Sequence, residues 1–199
     1  MIAIIDYGVG NLKSIYNSLQ RLSIDSVVTK DEDVINNADK IILPGVGAFN
    51  DAMESLRKSG LIKCIKENVE NGKPILGICL GMQILYEKGY EDGEFQGLGI
   101  LKGSVVKLKD GVKIPHMGWN SIEKGADHKI ANRIQSGEYV YYVHSYYVDT
   151  KNMDEVVFYS DYGVLVPGLV AKGNVIGMQF HPEKSGDTGL KLLKNFGGM

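Results

Sequence analysis

A single cysteine lies between two glycines, each two positions away, in the stretch Gly77-Ile78-Cys79-Leu80-Gly81. An apolar run precedes this stretch, and a helical pattern follows it. The same spacing around a serine marks the nucleophile elbow of hydrolases, in which glycines permit a sharp turn from strand to helix. We therefore interpret Cys79 as a nucleophile whose reactive thiolate is favoured by the N-terminus of the following helix. A lone cysteine after an apolar run is usually only a small core residue, so the motif by itself leaves both interpretations open.

A second motif, His181-Pro182-Glu183, ends an apolar segment that is typical of a strand. Residues two apart in an extended chain face the same side, so His181 and Glu183 are predicted to point into one pocket. A cysteine nucleophile needs a base, and the base needs an acid that fixes its tautomer. Although a histidine at a strand end is usually a surface residue, the two motifs together favour a triad of Cys79, His181 and Glu183.

A glycine-rich turn offers the third part that acyl chemistry requires. The apolar segment Lys40–Leu43 continues into Pro44-Gly45-Val46-Gly47. Backbone N–H groups in such a turn can approach a ligand closely, as an oxyanion hole requires. Taken alone, an ordinary strand-to-helix connection is the simpler interpretation of this turn.

The elements that must position these motifs alternate between strand and helix in the first half of the chain. This order predicts an α/β fold with a central, mostly parallel sheet, and the strands after Gly99 are expected to be antiparallel additions to it. Val46, Cys79 and His181 each follow a strand, so one shared crevice is expected at the carboxyl edge of the sheet. The predicted strands are Ile2–Ile5, Ser26–Thr29, Lys40–Leu43, Pro74–Ile78, Gly99–Leu101, Val105–Leu108, Tyr139–Val143, Val156–Tyr159, Leu165–Ala171 and Val175–Phe180. The predicted helices are Asn11–Leu22, Ala48–Asn71 with a break at Gly60, Leu80–Lys88 and Thr188–Phe196.

The composition favours an ordinary globular protein. The 199 residues suit a single domain, and a hydrophobic content of 44% is enough for a core. A net charge of −2 gives no electrostatic case for binding nucleic acid or a membrane. The two cysteines, Cys64 and Cys79, do not make a disulfide framework, and a reactive thiol suits a reduced, cytoplasmic setting. Met1–Asp6 is predicted to be a short strand rather than a signal peptide.

The three motifs together resemble those of class I (triad-type) glutamine amidotransferases. Further stretches are similar to the family of glutaminase subunits of imidazole glycerol phosphate synthase, and this resemblance extends from Asp6 to Ser185. It implies a flavodoxin-like architecture with helices on both sides of the sheet. The stretches that carry the narrower resemblance are Asp6–Leu12, Pro115–Asn120, Tyr142–Tyr147 and His181–Ser185.

The resemblance implies hydrolysis of glutamine to glutamate and ammonia through a cysteinyl thioester. It assigns the oxyanion hole to the N–H of Leu80 and to the Val46–Gly47 turn, where the Val46 peptide must rotate to aim its N–H. Glu91 would meet the α-ammonium group of the substrate. The residues implied for glutamine binding are Gly45, Gln83, Glu91, His144, Ser145 and Tyr146.

The resemblance also implies a partner. Because the glutaminase fold takes up the whole chain, ammonia is expected to pass to a separate barrel-fold cyclase in a heterodimer. That cyclase would join ammonia to a phosphoribosyl formimino substrate in histidine biosynthesis, giving imidazole glycerol phosphate and aminoimidazole carboxamide ribotide. The residues implied for the interface are Asn11, Trp119, Tyr141 and Lys184.

No cofactor and no metal are expected. Gly8-Val9-Gly10 follows the first strand, but a dinucleotide-binding fingerprint would need a third glycine where Lys13 stands. His116 and His144 are far apart in sequence and have no cysteine or carboxylate at metal-ligand spacing.

Other functions remain open on the sequence. The same fold can carry a stand-alone cysteine hydrolase, although Gln83 and the His144–Tyr146 stretch argue against it. The chain can also be a non-catalytic partner-binding module with an inert Cys79, which labelling by a glutamine-mimicking electrophile would distinguish. A paralogous pair that delivers ammonia to a different acceptor is not excluded, because the acceptor binds on the partner.

Overall fold

The computed structural model describes residues 1–150 and 152–199. The helices are α1 (Leu12–Arg21), α2 (Glu32–Asn37), α3 (Phe49–Ser59), α4 (Ile62–Glu70), α5 (Leu80–Gln83) and α6 (Gly186–Gly197). The strands are β1 (Ile2–Ile5), β2 (Ser26–Thr29), β3 (Lys40–Leu43), β4 (Ile75–Ile78), β5 (Tyr86–Gly89), β6 (Phe95–Gln96), β7 (Leu101–Lys107), β8 (His116–Ser121), β9 (Glu123–Lys124), β10 (Tyr139–His144), β11 (Tyr146–Asp149), β12 (Val156–Asp161), β13 (Leu165–Lys172) and β14 (Val175–Met178). Short 3₁₀ turns span Lys129–Ala131, Met153–Glu155 and Pro182–Lys184.

The largest sheet has the strand order β2-β1-β3-β4-β14-β13-β12-β9. The first five strands of this order are mutually parallel, and β13, β12 and β9 add to them antiparallel. The predicted fold class, a mostly parallel α/β sheet with antiparallel additions, is therefore confirmed. The pairing of β14 beside β4 places Met178 opposite Ile78, so both strands end at the same edge of the sheet.

The core lies in two layers, one on each face of this sheet. Alternate side chains of β1 divide between them, with Ala3 and Ile5 in one layer and Ile2 and Ile4 in the other. Helices α3 and α4 cover the first layer, and α1 and α6 cover the second. Among the described residues, none of the helices has the length and apolar character that crossing a bilayer demands.

The expectation that the strands predicted after Gly99 extend the main sheet is wrong for β7 and β10. Strands β11, β7, β5 and β6 form a separate four-stranded sheet, and β10 pairs with β8 in a two-stranded ribbon. The ribbon stays outside the main sheet because its backbone bonds to the segment after β14 instead. The N–H of His181 donates to the carbonyl of Tyr141 at 3.0 Å.

The predicted helix over Leu80–Lys88 is also wrong. Only Leu80–Gln83 is helical, and Tyr86–Gly89 forms strand β5, parallel to β7. Gly89 packs closely on Phe49, where a Cβ would lie 2.6 Å from the ring, but it is the pairing with β7 that holds this segment extended. Helix α2 was missed in the sequence, although Asp31 caps it by accepting from the N–H of Asp33 at 2.8 Å. The strands missed are β5, β6, β8, β9 and β11.

Candidate active site

The turn after β4 is strained at the cysteine. Cys79 has φ 54° and ψ −113°, a backbone conformation that non-glycine residues rarely adopt. The N–H of Cys79 donates to the carbonyl of Met178 at 2.7 Å, and its own carbonyl accepts from Met82 and Gln83. Hydrogen bonds on both sides therefore hold the sulfur at the carboxyl edge of the sheet, which is the geometry of a nucleophile elbow.

The two glycines around Cys79 are required by close packing and not by their own dihedral angles, since neither has a positive φ. A Cβ on Gly77 would lie 2.6 Å from the carbonyl oxygen of Gly81. A Cβ on Gly81 would lie 1.9 Å from the carbonyl oxygen of Leu43. The strain of the turn is thus carried by Cys79, and the glycines let the chain fold back beside it.

The predicted help from a helix N-terminus is small. Helix α5 has a single turn of four residues, so few peptide dipoles align behind Cys79. Stabilisation of a thiolate must come mainly from neighbouring side chains.

His181 and Glu183 form a buried pair beside this turn. His181 Nδ1 lies 2.9 Å from Glu183 Oε1, and the two side chains are 3% and 0% exposed. They meet because Pro182 starts a 3₁₀ turn, whereas the sequence suggested an extended chain. The second oxygen of Glu183 has no hydrogen-bond partner within the described residues.

The pKa of His181 is raised to about 9. Burial alone lowers it, but the nearby Cys79 sulfur and the hydrogen bond to Glu183, with the charges of both groups, outweigh the burial. The imidazole is therefore held in its protonated form between the sulfur and the carboxylate at neutral pH.

A cavity of about 340 Å³ opens above the sulfur. It is bounded by the elbow, by the turn after β3 and by the segment between β10 and β11. The residues that line it are Val46, Gly47, Cys79, Leu80, Gln83, Glu91, Pro115, Val143, His144, Ser145, Tyr146 and His181. The structure thus brings together most of the residues that the sequence assigned to one site.

Comparison with known proteins identifies the family. The family model described as "Glutamine amidotransferase class-I" matches residues 3–197. The chain belongs to the class-I glutamine amidotransferases. Its curated relatives include two proteins named "Imidazole glycerol phosphate synthase subunit HisH". The one from Caldanaerobacter subterraneus subsp. tengcongensis is 52% identical over 100% of this chain and 98% of the relative. The one from Bacillus cereus is 52% identical over 100% of this chain and 95% of the relative.

Solved structures show the same fold at lower sequence identity. A chain described as "Crystal structure of glutamine amidotransferase" matches with a TM-score of 0.78 and 21% identity, over 100% of both chains. "Structure of PurLQS from Thermotoga maritima" matches with a TM-score of 0.73 and 22% identity, over 98% of this chain and 96% of that one. These likenesses establish the architecture of a class-I glutamine amidotransferase.

Within this class-I glutamine amidotransferase, the proposed substrate residues occupy different depths of the site. Glu91 Oε2 accepts from the N–H of Phe49 at 2.7 Å, which fixes the carboxylate at the cavity wall. Gly45 does not line the cavity. It is buried against the elbow, where a Cβ would lie 2.6 Å from the nitrogen of Gly81. Gly45 therefore packs behind the cavity wall, against the elbow.

Gln179, which the sequence did not mark as a candidate, is fully buried beside Cys79. Its Nε2 lies 3.9 Å from the sulfur of Cys79, and its Oε1 accepts from Gln83 Nε2 at 3.0 Å. The acceptor bond fixes which end of the amide faces the sulfur. The signal was present in the sequence, because Gln179 precedes His181 by two positions and so shares its face on an extended chain.

Of the four residues predicted to face a partner, Trp119 and Lys184 are exposed, and Asn11 and Tyr141 are half-buried. Trp119 is 56% exposed, and its ring meets that of Tyr141 edge to face at 6.0 Å. Lys184 is exposed in the 3₁₀ turn that carries Glu183. Asn11 is the N-cap residue of α1, and this helix contacts that same turn.

The two histidines weighed as metal ligands contact each other directly. His116 Nδ1 lies 3.0 Å from His144 Nε2, and both rings are buried. In the part of the chain that the structure describes, no three histidine, cysteine, aspartate or glutamate side chains are grouped to hold a metal ion.

Proposed function

We propose that this protein is the glutaminase subunit of imidazole glycerol phosphate synthase and supplies ammonia for histidine biosynthesis. One observation carries the proposal. Cys79 and His181 line a single cavity, and Glu183 is hydrogen-bonded to the imidazole of His181. The chain that carries them is 52% identical to proteins named as the HisH subunit of that synthase. The whole chain, residues 1–199, would act as one glutaminase domain that needs no metal or cofactor.

The reaction would proceed through a covalent thioester on Cys79. The thiolate attacks the side-chain amide carbon of glutamine, and the thiol proton resides on His181. The imidazolium then protonates the departing nitrogen, which leaves as ammonia with cleavage of the C–N bond. His181, now neutral, takes a proton from water. The resulting hydroxide attacks the γ-glutamyl thioester, and glutamate leaves as the thiol re-forms.

Glu183 would act on this reaction through His181. A carboxylate on Nδ1 holds that nitrogen as a donor and leaves Nε2 to exchange the proton with the sulfur. The raised pKa of His181 agrees with this arrangement, because the imidazolium is stabilised on both sides.

The oxyanion of the tetrahedral intermediate would be held by backbone N–H groups. Leu80 follows Cys79 directly, and the Val46–Gly47 turn lines the same cavity. Rotation of the Val46 peptide would aim its N–H at the oxyanion. Loss of one such donor typically lowers turnover by roughly 10²–10³-fold.

Substrate recognition would use the polar groups of the cavity wall. The Glu91 carboxylate would receive the α-ammonium group of glutamine. Gln83 and the segment from His144 to Tyr146, including the Ser145 hydroxyl, would surround the rest of the substrate. These contacts favour glutamine over the peptide bond that a stand-alone cysteine peptidase would need to admit.

The ammonia acceptor would lie on a separate cyclase with a barrel fold, joined to this chain as a heterodimer in the cytoplasm. Large exposed apolar side chains on the β8–β10 ribbon support such an interface, since contiguous exposed apolar surface marks contact with other proteins. Met117, Trp119 and Tyr139 of the ribbon are 59%, 56% and 58% exposed.

The direct test is a glutaminase assay of the Cys79→Ala variant with the cyclase present. We expect a folded protein without measurable glutamate production. Cys64→Ala is the matched control, because Cys64 is a buried thiol that contacts Asn36 away from the cavity. Glutamate production by Cys79→Ala at the wild-type rate would refute the proposed chemistry.

A second measurement tests the partner. Uncoupled hydrolysis would waste glutamine, so we expect the isolated chain to be slow and the cyclase to accelerate it. Co-purification with the cyclase, followed by an assay of ammonia incorporation, would identify the acceptor. Equal glutaminase activity with and without the cyclase would contradict the proposed assembly.

A further inference from the structure

A buried histidine outside the proposed triad, His116, belongs to an unbroken hydrogen-bond chain that ends at the cavity wall. Asn120 Nδ2 lies 3.3 Å from His116 Nε2, and His116 Nδ1 lies 3.0 Å from His144 Nε2. His144 Nδ1 then lies 2.9 Å from the carbonyl oxygen of Tyr146. None of the catalytic steps or substrate contacts above involves His116.

At the cavity, the last hydrogen bond of this series fixes which groups donate and which accept. A carbonyl oxygen only accepts hydrogen bonds, so His144 Nδ1 carries the proton that is donated to Tyr146. A neutral imidazole has one donor and one acceptor nitrogen, so His144 Nε2 accepts from His116 Nδ1. His116 Nε2 is left as an acceptor.

At the other end of this series of hydrogen bonds, Asn120 independently gives the same donors and acceptors. Asn120 Nδ2 donates to the carbonyl of Asp161 at 3.1 Å, and Asn120 Oδ1 accepts from the N–H of Ser121 at 2.9 Å. These two backbone groups orient the amide, so its nitrogen faces His116 Nε2, which must accept. Both imidazoles are therefore neutral and protonated on Nδ1.

Packing holds the His116 ring in the plane that this chain requires. The ring is stacked between Tyr142, with centroids 4.5 Å apart, and Tyr162, with centroids 3.8 Å apart. Tyr162 is itself fixed by donation to the carbonyl of Lys113 at 2.8 Å. Burial lowers the pKa of both histidines, in agreement with their neutral form.

We propose that His116 is a positioning residue of the glutaminase site, an inference that depends on the proposed function. Its Nδ1–H holds His144, and His144 holds the carbonyl of Tyr146. The same carbonyl accepts from Gln83 Nε2 at 2.8 Å, so the chain of bonds fixes a proposed substrate contact as well as the wall. Without His116, the His144 ring loses its donor and becomes free to change tautomer or orientation.

Two substitutions separate positioning from simple packing. His116→Phe keeps a flat ring between the tyrosines but removes the donor to His144. His116→Asn removes the ring but keeps an amide donor near the place of Nδ1. With the cyclase present, we expect His116→Phe to raise the KM for glutamine roughly tenfold with a smaller change in kcat, and His116→Asn to stay within about threefold of wild type. The opposite order, with the phenylalanine variant the more active of the two, would overturn the proposal.

A spectroscopic measurement keeps the proposal testable if a variant fails to fold. In ¹⁵N-histidine spectra of the wild-type chain near neutral pH, two rings should show the Nδ1–H tautomer, and His116→Phe should remove one and alter the other. An Nε2–H tautomer at either ring would refute the inference. The spectra do not depend on turnover. A wild-type chain without glutaminase activity would contradict the proposed function, whereas the spectra alone decide the tautomers of His116 and His144.

Discussion

Three buried histidines lie close together at the site. Their surroundings lower the pKa of two of them and raise the pKa of the third. Burial and the charge of His116 lower the pKa of His144 to about 3, and burial lowers the pKa of His116 to about 4. His181 is also buried, but the nearby Cys79 sulfur and the hydrogen bond to Glu183 raise its pKa to about 9. Of the three, His181 therefore suits the proposed role of proton carrier at neutral pH, and the other two suit the proposed role of holding their neighbours in position.

Replacing Glu183 with glutamine should lower the pKa of His181, because an amide does not stabilise the imidazolium as a carboxylate does. The pKa of His181 in the folded protein lies above its value of about 6.5 in the unfolded chain. Protonation of His181 therefore stabilises the fold, and this stabilisation is complete below about pH 6.5. This stabilisation is lost as pH rises through about 9. In Glu183→Gln the loss should occur at lower pH.

An NMR titration of the His181 ring, with urea unfolding at matched pH values, measures both effects. The kcat of Glu183→Gln should fall by about 10²-fold or more, since the acid holds the base in its working tautomer. An unchanged His181 titration in this variant would show that the carboxylate does not act on the imidazole.

At the level of single residues, the sequence was most informative where chemistry restricts the residue type. Cys79 and His181 could be singled out as candidates because few side chains can act as nucleophile and base. Gln179 was missed because a glutamine, unlike a cysteine or histidine, has no reactive group that marks it as a catalytic candidate, although its spacing from His181 was visible in the sequence. Its importance depends on a contact with Cys79, a hundred positions away in the chain.

The elbow is the element on which the site depends most, and its glycines test that dependence. Gly81→Ala should destabilise the protein by about 3 kcal/mol or more, because the new Cβ would collide with the carbonyl of Leu43 and cannot move away. Gly173→Ala is the matched control. Gly173 has φ 58° with open space around it, so only backbone strain of about 1 kcal/mol is expected.

Urea unfolding of both variants, followed by circular dichroism, gives the comparison. Equal and small losses of unfolding free energy would show that the chain can relax around residue 81, contrary to the packing argument.

Sequence patterns predicted the central elements well and the short peripheral ones poorly. The bounds of β1, β2 and β3 were predicted correctly, because each is a short, mostly apolar or β-branched run that ends at a charged residue or a proline. The Ile84-Leu85-Tyr86 run was assigned to a helix, although Tyr86 begins strand β5. An apolar run of this length fits either structure, and the pairing with β7 that decides it is a tertiary contact.

On the scale of the whole molecule, the β8–β10 ribbon could not be placed from sequence. Its position depends on non-local bonds to the turn after β14, including donation from Tyr141 N–H to Ser185 Oγ at 3.0 Å. This placement sets Trp119 and Met117 on the outside while His116 faces inward. The ribbon therefore lies between the cavity and the surface that is proposed to meet the cyclase.

Trp119→Ala tests that surface. Because Trp119 is more than half exposed, the stability of the isolated chain should change by less than about 0.5 kcal/mol. Affinity for the cyclase should fall roughly 30-fold or more, as expected for a tryptophan anchor at an interface.

Met153→Ala is the control on the opposite side of the molecule. Met153 is 46% exposed and lies in the turn whose Glu155 pairs with Lys172 at 3.0 Å, next to the amino end of β14. Isothermal titration with the cyclase measures both variants. Equal affinities for Trp119→Ala and Met153→Ala would place the interface elsewhere.

The most direct test of the central claim is to trap the covalent intermediate. The chain with its cyclase is mixed with glutamine, quenched in acid during turnover, and digested for mass spectrometry. We predict a γ-glutamyl group on the peptide that contains Cys79 and none on the peptide that contains Cys64, the other cysteine of the chain. Continued turnover with no glutamyl group on Cys79, or the same group on Cys64, would contradict the account.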